Sequence, residues 1–192
     1  MNTRRKTRQM VLTALMIALM AVLQMTGIGL IRLGVINITF YCTIIGIGTI
    51  VLGLKSGLIL GGAFGIISLI SAIQAPTALV APLMTAAWPL VVAMCILPRL
   101  LVPVTAHYIH KLFAAIFKNP HIAPAAGAAA GSLCNTVFYL GLMLIGYSVT
   151  VADYPGLLAT VGTIALTGGI PEAIVAAIVA SPVVLALKKI HK

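Results

Sequence analysis

The sequence predicts an all-α membrane protein: a six-transmembrane-helix bundle that forms a single integral membrane domain over residues 1–192. Of the residues, 61% are hydrophobic and 7% are charged, whereas roughly 25% are charged in an average soluble domain. The apolar residues form six stretches near the ~20 residues that a helix needs to cross the hydrocarbon core. If the amino terminus lies inside and the chain crosses six times, every Lys and Arg except Arg32 falls on the cytoplasmic side, so the positive-inside rule places both termini in the cytoplasm.

The first half of the chain supplies three of these spans. The first, 9–30, follows the basic segment Arg4–Arg8. Such a start is typical of a signal peptide, but no small-residue cleavage site follows and the apolar run is long enough to span. The second span, 35–54, ends in a glycine-containing turn at Lys55, and the third, 58–73, is rich in glycine.

The second half supplies three more spans: 83–108, 123–147 and 169–188. Arg99 lies some two-thirds of the way through the fourth span, so we expect it to snorkel toward the cytoplasmic headgroups or to meet a partner chain. The sixth begins with Pro171 and Glu172, and a proline followed by an acid favours a helix start. The stretch Leu157–Leu166 before it is weakly apolar and is expected to lie partly in the membrane.

The charge and the cysteines carry no further site. A net charge of +10 would indicate nucleic acid in a soluble chain, but here the basic residues flank apolar segments and suit anionic lipid headgroups. Cys42, Cys95 and Cys134 lie inside apolar stretches without metal-ligand spacing, so we expect packing residues. We therefore expect a lipid-bilayer protein with no nucleic acid, no metal and no cofactor.

Small residues recur at a spacing of four in three spans. They are Ala14 and Ala18 in the first, Gly57, Gly61 and Gly65 in the third, and Gly127 and Gly131 in the fifth. Such residues let helix backbones approach closely in a membrane. The glycines indicate packing within the bundle. The alanines follow a strongly basic segment, and they indicate either internal packing or a face that docks another membrane subunit.

The polar residues inside the apolar spans are the candidates for function, because such groups are costly there. Glu172 either caps its helix or faces a ligand, while Asp153 suits a solvated loop. Asn135 either joins helices or hydrogen-bonds a solute. Arg32 meets either an anionic solute or a lipid headgroup, and Trp88 is either an interfacial anchor or a stacking wall.

An enzyme is disfavoured by what surrounds these groups. Two carboxylates and four scattered histidines give no plausible nucleophile–base pair. The segment Gly48–Ser56 is similar to a phosphate-binding loop, but Leu54 separates Gly53 from Lys55 and the segment ends a transmembrane span. A self-contained ATPase is therefore excluded.

With these residues placed, the chain resembles the substrate-binding (S) subunit of an energy-coupling factor (ECF) vitamin transporter over nearly its whole length. The matching segments are Ala14-x3-Ala18, Gly53–Gly57, Gly61–Ser68, Ile96–Arg99, Asn135-Thr136 and Gly169–Ala173. The order of these segments carries the resemblance more than any one of them. Within the family the chain is most similar to pantothenate-specific subunits, although its second span begins Asn37–Tyr41 where a more apolar, proline-containing entry is expected.

The resemblance implies a six-helix bundle in the cell (plasma) membrane that binds one vitamin from outside and topples to deliver it. It implies docking, through Ala14 and Ala18, onto a membrane scaffold subunit that carries two cytoplasmic ATPase subunits. The alternatives are an S subunit for niacin, pyridoxine, folate or riboflavin, or a stand-alone small-solute transporter or channel. An enzyme or a membrane-assembly protein remains as a weaker reading.

The expected substrate site lies in the outer half of the bundle, because the polar residues of the spans gather toward that half. A channel would instead need a continuous polar stripe through the spans. The expected substrate-binding residues are Arg32, Asn37, Gln74, Trp88, Asn135, Tyr139 and Glu172. For pantothenate, Arg32 would meet the carboxylate, Glu172 a hydroxyl and Asn135 the amide. The expected lids are the connections 29–34, 74–82 and 148–169, since loops of this kind order on binding.

Overall fold

The computed structural model describes residues 3–26, 30–33, 36–150 and 156–190; of residues 3–5, 30–33, 36–39 and 190 it describes the backbone only. Within these ranges the chain forms eight α-helices, one π-helical turn and one hairpin. In order they are α1 (Thr3–Thr26), β1 (Leu30–Leu33), β2 (Ile36–Thr39), α2 (Tyr41–Leu52), α3 (Leu54–Gln74), α4 (Ala81–Ala86), α5 (Trp88–Ile116), α6 (Ile122–Thr150), α7 (Leu157–Ile164), the π-helical turn (Ala165–Gly169) and α8 (Ile170–Ile190).

The prediction of a helical membrane bundle is confirmed, but six full-length spans are not. Within the described ranges, five helical runs are long and apolar enough to cross a membrane: Lys6–Thr26, Leu54–Gln74, Trp88–Ile116, Ile122–Thr150 and Leu157–Lys189. The apolar helix α2 has 12 residues. At 1.5 Å per residue it rises only about 18 Å, less than the ~30 Å core. The positions of the two termini relative to the membrane stay a prediction.

The start of the predicted second span is wrong, because the chain is a strand there. Leu30–Leu33 and Ile36–Thr39 pair antiparallel, with Arg32 opposite Asn37. The sequence Ile36-Asn-Ile-Thr39 alternates apolar and polar residues with a period of two and contains β-branched side chains, which suits a strand. Among the described residues, this pair of strands is the exception to an otherwise helical bundle.

Two prolines and a π-helical turn change the bounds of the predicted fourth and sixth spans. The predicted fourth span, 83–108, is divided at Ala87, since Pro82 opens α4 and Pro89 opens α5. A proline suits the first turn of a helix, where its missing N–H has no intrahelical acceptor. The predicted sixth span began at residue 169, whereas α7 and the π-helical turn extend that helix back to Leu157.

α5 is the central helix of the bundle, and glycines of α3 and α6 press against its backbone. A Cβ atom placed on Gly61 would lie 2.5 Å from the carbonyl oxygen of Arg99. One placed on Gly127 would lie 2.8 Å from the carbonyl oxygen of Ala106. Only a residue without a side chain permits such an approach. Below, this contact of α3 and α6 with α5 is called the glycine seam.

α1 lies at the edge of the bundle, and most of its surface is exposed. Its buried residues are Thr13 and Met20. Two glutamines tie it to its neighbours: Gln9 Nε2 donates to the Leu52 carbonyl at 3.3 Å, and Gln24 Nε2 donates to Ser71 Oγ at 2.8 Å. These contacts hold α1 at both ends and leave one broad face unpacked.

Candidate binding site

A cavity of ≈ 700 Å³ opens between α3, α5, α6 and the segment that runs from α7 into α8. It lies at the end of the bundle where α3 and α6 end and α5 begins, called here the cavity end. Its lining residues are Phe64, Thr77, Ala78, Leu79, Arg99, Asn135, Thr136, Tyr139, Leu140, Met143, Ala159, Thr160, Thr163, Ile164, Thr167, Gly168, Gly169 and Glu172. Small-molecule sites usually measure about 300–1,000 Å³, so this volume suits one small organic ligand.

Arg99 places a buried cation in this cavity, and the neighbouring proline explains how it is held. Pro98 has no N–H, so the Met94 carbonyl four residues earlier loses its helical donor. Arg99 Nη1 donates to that carbonyl at 2.6 Å, and Nη2 donates to Ser68 Oγ of α3 at 3.0 Å. The side chain is only 7% exposed. Pro98 therefore removes one hydrogen bond of the helix, and the Arg99 side chain donates the bond that replaces it.

The Arg99 guanidinium also contacts two aromatic rings. Its central carbon is 4.6 Å from the ring centroid of Tyr139 and 5.2 Å from that of Phe64, within the ~6 Å range of a cation–π contact. The two hydrogen bonds use two of its five N–H groups. Nε is buried and has no partner within the described residues, so donors remain for a ligand.

The expectation that Arg99 snorkels toward the cytoplasmic headgroups is wrong. Long side chains on a helix lean toward its N-terminus, and the N-terminus of α5 is at the cavity end. The Met94 carbonyl and the aromatic faces supply the partners that headgroups would otherwise supply.

α6 brings two predicted residues to the cavity wall. Asn135 and Tyr139 are four residues apart, so they lie on one face of the helix, and both line the cavity. Asn135 Oδ1 is buried and has no partner in the part of the chain that the structure describes. A buried acceptor without a partner is costly, so this amide suits a ligand donor.

Glu172 reaches the cavity from the first turn of α8, and it is 7% exposed. The Cys42 thiol of α2 lies within hydrogen-bonding reach of its carboxyl group. Gly169 lets α8 begin close to α6, because a Cβ there would lie 2.5 Å from Thr136 Cγ2.

A row of threonines on α7 and the π-helical turn forms a wall that accepts hydrogen bonds. Thr160, Thr163 and Thr167 donate their hydroxyl hydrogens to the carbonyls of Gly156, Ala159 and Thr163 at 3.0, 2.8 and 2.6 Å. With the hydrogen committed, each hydroxyl oxygen still has lone pairs. This wall therefore suits ligand groups that donate.

The other predicted residues do not line the cavity or cannot be compared with it. Gln74 ends α3 and is exposed, and Trp88 begins α5 and is 42% exposed; neither is a lining residue. The backbones of Arg32 and Asn37 pair in the hairpin, but their side chains lie outside what the structure describes. Asp153 also lies outside the described residues.

Sequence reasoning missed Arg99, Phe64 and the threonine row. The signal for Arg99 was present, since an arginine directly after a mid-span proline stands beside a carbonyl that needs a donor. Phe64 and the threonines carried no signal of their own, because apolar rings and threonines are common in membrane helices.

The comparison with known families decides which kind of protein this cavity belongs to. The family model described as ECF transporter, substrate-specific component, matches residues 8–187. The chain belongs to this family. The match contains every residue that lines the cavity. An ECF substrate-specific component is a membrane transport protein for vitamin uptake and not a member of an enzyme family.

A curated relative adds to this assignment. The chain is 29% identical over 153 residues to the pantothenic acid transporter PanT of Lactococcus lactis subsp. cremoris (strain MG1363), and the match covers 74% of each chain. The cavity is thus the candidate substrate site of an ECF substrate-specific component that is similar to a pantothenic acid transporter.

Proposed function

We propose that this ECF substrate-specific component binds pantothenate in the cavity, from outside the cell (plasma) membrane. The observation that carries the proposal is the polarity of the cavity, which pairs one buried cation with walls that accept hydrogen bonds. Pantothenate has the matching groups: a carboxylate, an amide and two hydroxyls. The similarity to PanT supports the same substrate.

Arg99 is proposed to bind the carboxylate, in place of the role first expected for Arg32. Its free Nε–H lies at a buried position, where a charge-assisted hydrogen bond is strong. Tyr139 and Phe64 lie within cation–π distance of the guanidinium. The carboxylate would then give this N–H group its hydrogen-bond partner without breaking an existing hydrogen bond of Arg99.

The donors of pantothenate are proposed to meet the opposite walls. Asn135 Oδ1 can accept from the amide N–H, and the oxygens of Thr163, Thr167 and Glu172 can accept from the hydroxyls. Glu172 would repel a carboxylate beside it. The acid end should therefore point to Arg99 and the hydroxyl end to the start of α8.

The alternative vitamins match this polarity less well. Niacin has a carboxylate but no hydroxyl, so the accepting walls would stay unpaired. Pyridoxine and riboflavin have hydroxyls but no carboxylate, so Arg99 would stay unpaired. Folate and riboflavin also need more aromatic stacking surface than the two rings at Arg99 offer.

Titration calorimetry on purified protein tests the proposal, with pantothenate, the four other vitamins and pantothenol as ligands. Pantothenol replaces the carboxylate by an alcohol. It should bind at least about tenfold more weakly, since a hydrogen bond to a charged group contributes about 1.5–3 kcal/mol. Arg99→Gln should remove most of that difference, while the control Trp88→Phe should preserve it. Tighter binding of another vitamin would overturn the assignment.

Delivery is proposed to depend on partner subunits. Ala14 and Ala18 are exposed on α1, as a docking face for a membrane scaffold subunit requires. Two cytoplasmic ATPase subunits on that scaffold would supply the energy.

A further inference from the structure

A continuous series of contacts leads from the Arg99 guanidinium to α1. Arg99 lies over the Phe64 ring, and Phe64 stacks on Tyr41 with centroids 4.8 Å apart and planes at 28°. The Tyr41 hydroxyl donates to Gln24 Oε1 at 2.8 Å. Gln24 Nε2 in turn donates to Ser71 Oγ at 2.8 Å. Three contacts therefore connect the cation of the cavity to α1, a helix that does not line the cavity.

One face of α3 anchors both ends of this series. Phe64, Ser68 and Ser71 are spaced four and three residues apart, so they lie on one face of the helix. Ser68 accepts from Arg99, and Ser71 accepts from Gln24. Ser71 commits its own hydrogen to the Ile67 carbonyl at 2.9 Å. The direction of the Gln24 bond is thus fixed, and with it the orientation of the Gln24 amide.

Gln24 in turn fixes the Tyr41 ring. Tyr41 is 1% exposed, and a buried tyrosine hydroxyl needs a partner. Within the described residues that partner is Gln24 Oε1. Without it the ring would have to move to satisfy its hydroxyl, and Phe64, which packs between Tyr41 and Arg99, would move with it.

We propose that Gln24 is a positioning residue for the carboxylate site: through Tyr41 and Phe64 it holds Arg99 in the orientation that receives an acid. The position of α1 and the affinity for the acidic end of the substrate are then coupled. The identity of the acid rests on the proposed function, whereas the contacts themselves do not. Because coupling is reciprocal, a partner that displaces the Gln24 end of α1 weakens carboxylate binding.

The first test compares two glutamines of α1. Gln24→Leu should weaken pantothenate binding about tenfold, which is the effect of ~1.4 kcal/mol, and should change pantothenol binding less than about twofold. Gln9→Leu is the matched control, since Gln9 also bonds across to a neighbouring helix, at 3.3 Å to the Leu52 carbonyl. If Gln24 had a purely structural role, Gln24→Leu would lower the affinities for pantothenate and for pantothenol alike. Any loss caused by Gln9→Leu is expected to be of that unselective kind.

A double-mutant cycle sharpens the test. Tyr41→Phe keeps the stacked ring and removes only the hydroxyl, so it should reproduce the selective loss. The double variant should be no worse than either single variant, because residues that act through one contact are not additive. Fully additive losses would contradict the series. If Gln24→Leu does not fold, Tyr41→Phe decides the question by itself.

A measurement without ligand separates this proposal from the proposed function. With 4-fluorophenylalanine at position 64, the fluorine resonance should shift in Gln24→Leu and stay in place in Gln9→Leu. If the wild-type protein does not bind pantothenate, the proposed function fails and the resonance still tests the positioning role. An unchanged resonance in Gln24→Leu would overturn the positioning role even if pantothenate binds tightly.

Discussion

The small residues of α3 and α6 and those of α1 share one spacing and have opposite surroundings. Gly61 and Gly127 lie against backbone carbonyls of α5 at distances that exclude any side chain. Ala14 and Ala18 lie on an exposed face. The spacing thus predicts that a backbone will approach closely, but it does not tell whether that backbone belongs to the same chain.

The difference predicts separate roles for the two sets. At the glycine seam the backbones of α3 and α6 already pack against α5, so the seam holds α5 and the Arg99 carbonyl in place beneath the cavity. The alanine face is unfilled by the described residues, so it is available to a second protein. Substitutions should therefore damage the fold at the seam and damage only assembly at α1.

The largest expected effect is at the seam. Gly61→Ala should destabilise the protein by about 1–3 kcal/mol or prevent folding, because the new Cβ would lie 2.5 Å from a backbone oxygen that cannot move aside. Thermal unfolding followed by size-exclusion chromatography measures the loss. Gly62→Ala is the control, since a Cβ on Gly62 meets nothing within 4 Å. Equal stability of the two variants would show that the seam is not tightly packed.

The next effect is on uptake alone. Ala14→Trp should abolish vitamin uptake in cells and leave both thermal stability and ligand affinity near the wild type, since it blocks close approach by a scaffold helix. Leu19→Trp is the control: Leu19 is 49% exposed and lies about 140° around the helix from Ala14. Loss of ligand binding with complex assembly preserved would sink the docking hypothesis.

The sequence predicted much of the fold for a simple physical reason: spans of membrane length must be apolar and helical. It failed at Ile36–Thr39, which pairs with Leu30–Leu33 as a strand instead of beginning the second helix. A window that counts only hydrophobicity cannot separate these two outcomes, whereas the alternation in Ile36–Thr39 could.

The candidate site was predicted in part. The residues that were predicted are those whose burial in a membrane span is costly. Asn135 and Glu172 stood out because polar groups are rare inside spans, and the structure places both at the cavity. Arg99 was assigned to the membrane surface because its depth in the span was judged without the direction of its side chain. Gln74 and Trp88 matched the expected depth, but neither lines the cavity, whereas residues 77–79 of the connection between them do.

A third prediction contrasts the cavity wall with the glycine seam. Asn135→Ala and Glu172→Gln should each weaken pantothenate binding by about 1–3 kcal/mol, because the first removes the acceptor for the ligand amide and the second replaces a charged acceptor by a neutral one. Their thermal stability should fall far less than that of Gly61→Ala. Val137→Ala, at a position 66% exposed on the same helix, should leave affinity unchanged. Unchanged affinity in both site variants would show that Asn135 and Glu172 do not contact the ligand.

The smallest expected effect concerns access to the cavity. It compares a position whose accessibility should change when ligand binds with a position whose accessibility should not. Ala78 lies in the connection between α3 and α4 and lines the cavity, whereas Ala86 is exposed at the end of α4 and does not. A cysteine at position 78 should react severalfold more slowly with a maleimide added from outside when pantothenate is present, because the bound ligand covers it or orders the connection. A cysteine at position 86 should react at the same rate with and without ligand. The background from Cys42, Cys95 and Cys134 is low where those thiols are buried, and the unsubstituted protein measures it directly. Equal protection at both positions would mean that pantothenate tightens the whole cavity end, and no protection at position 78 would mean that this connection is not part of the lid.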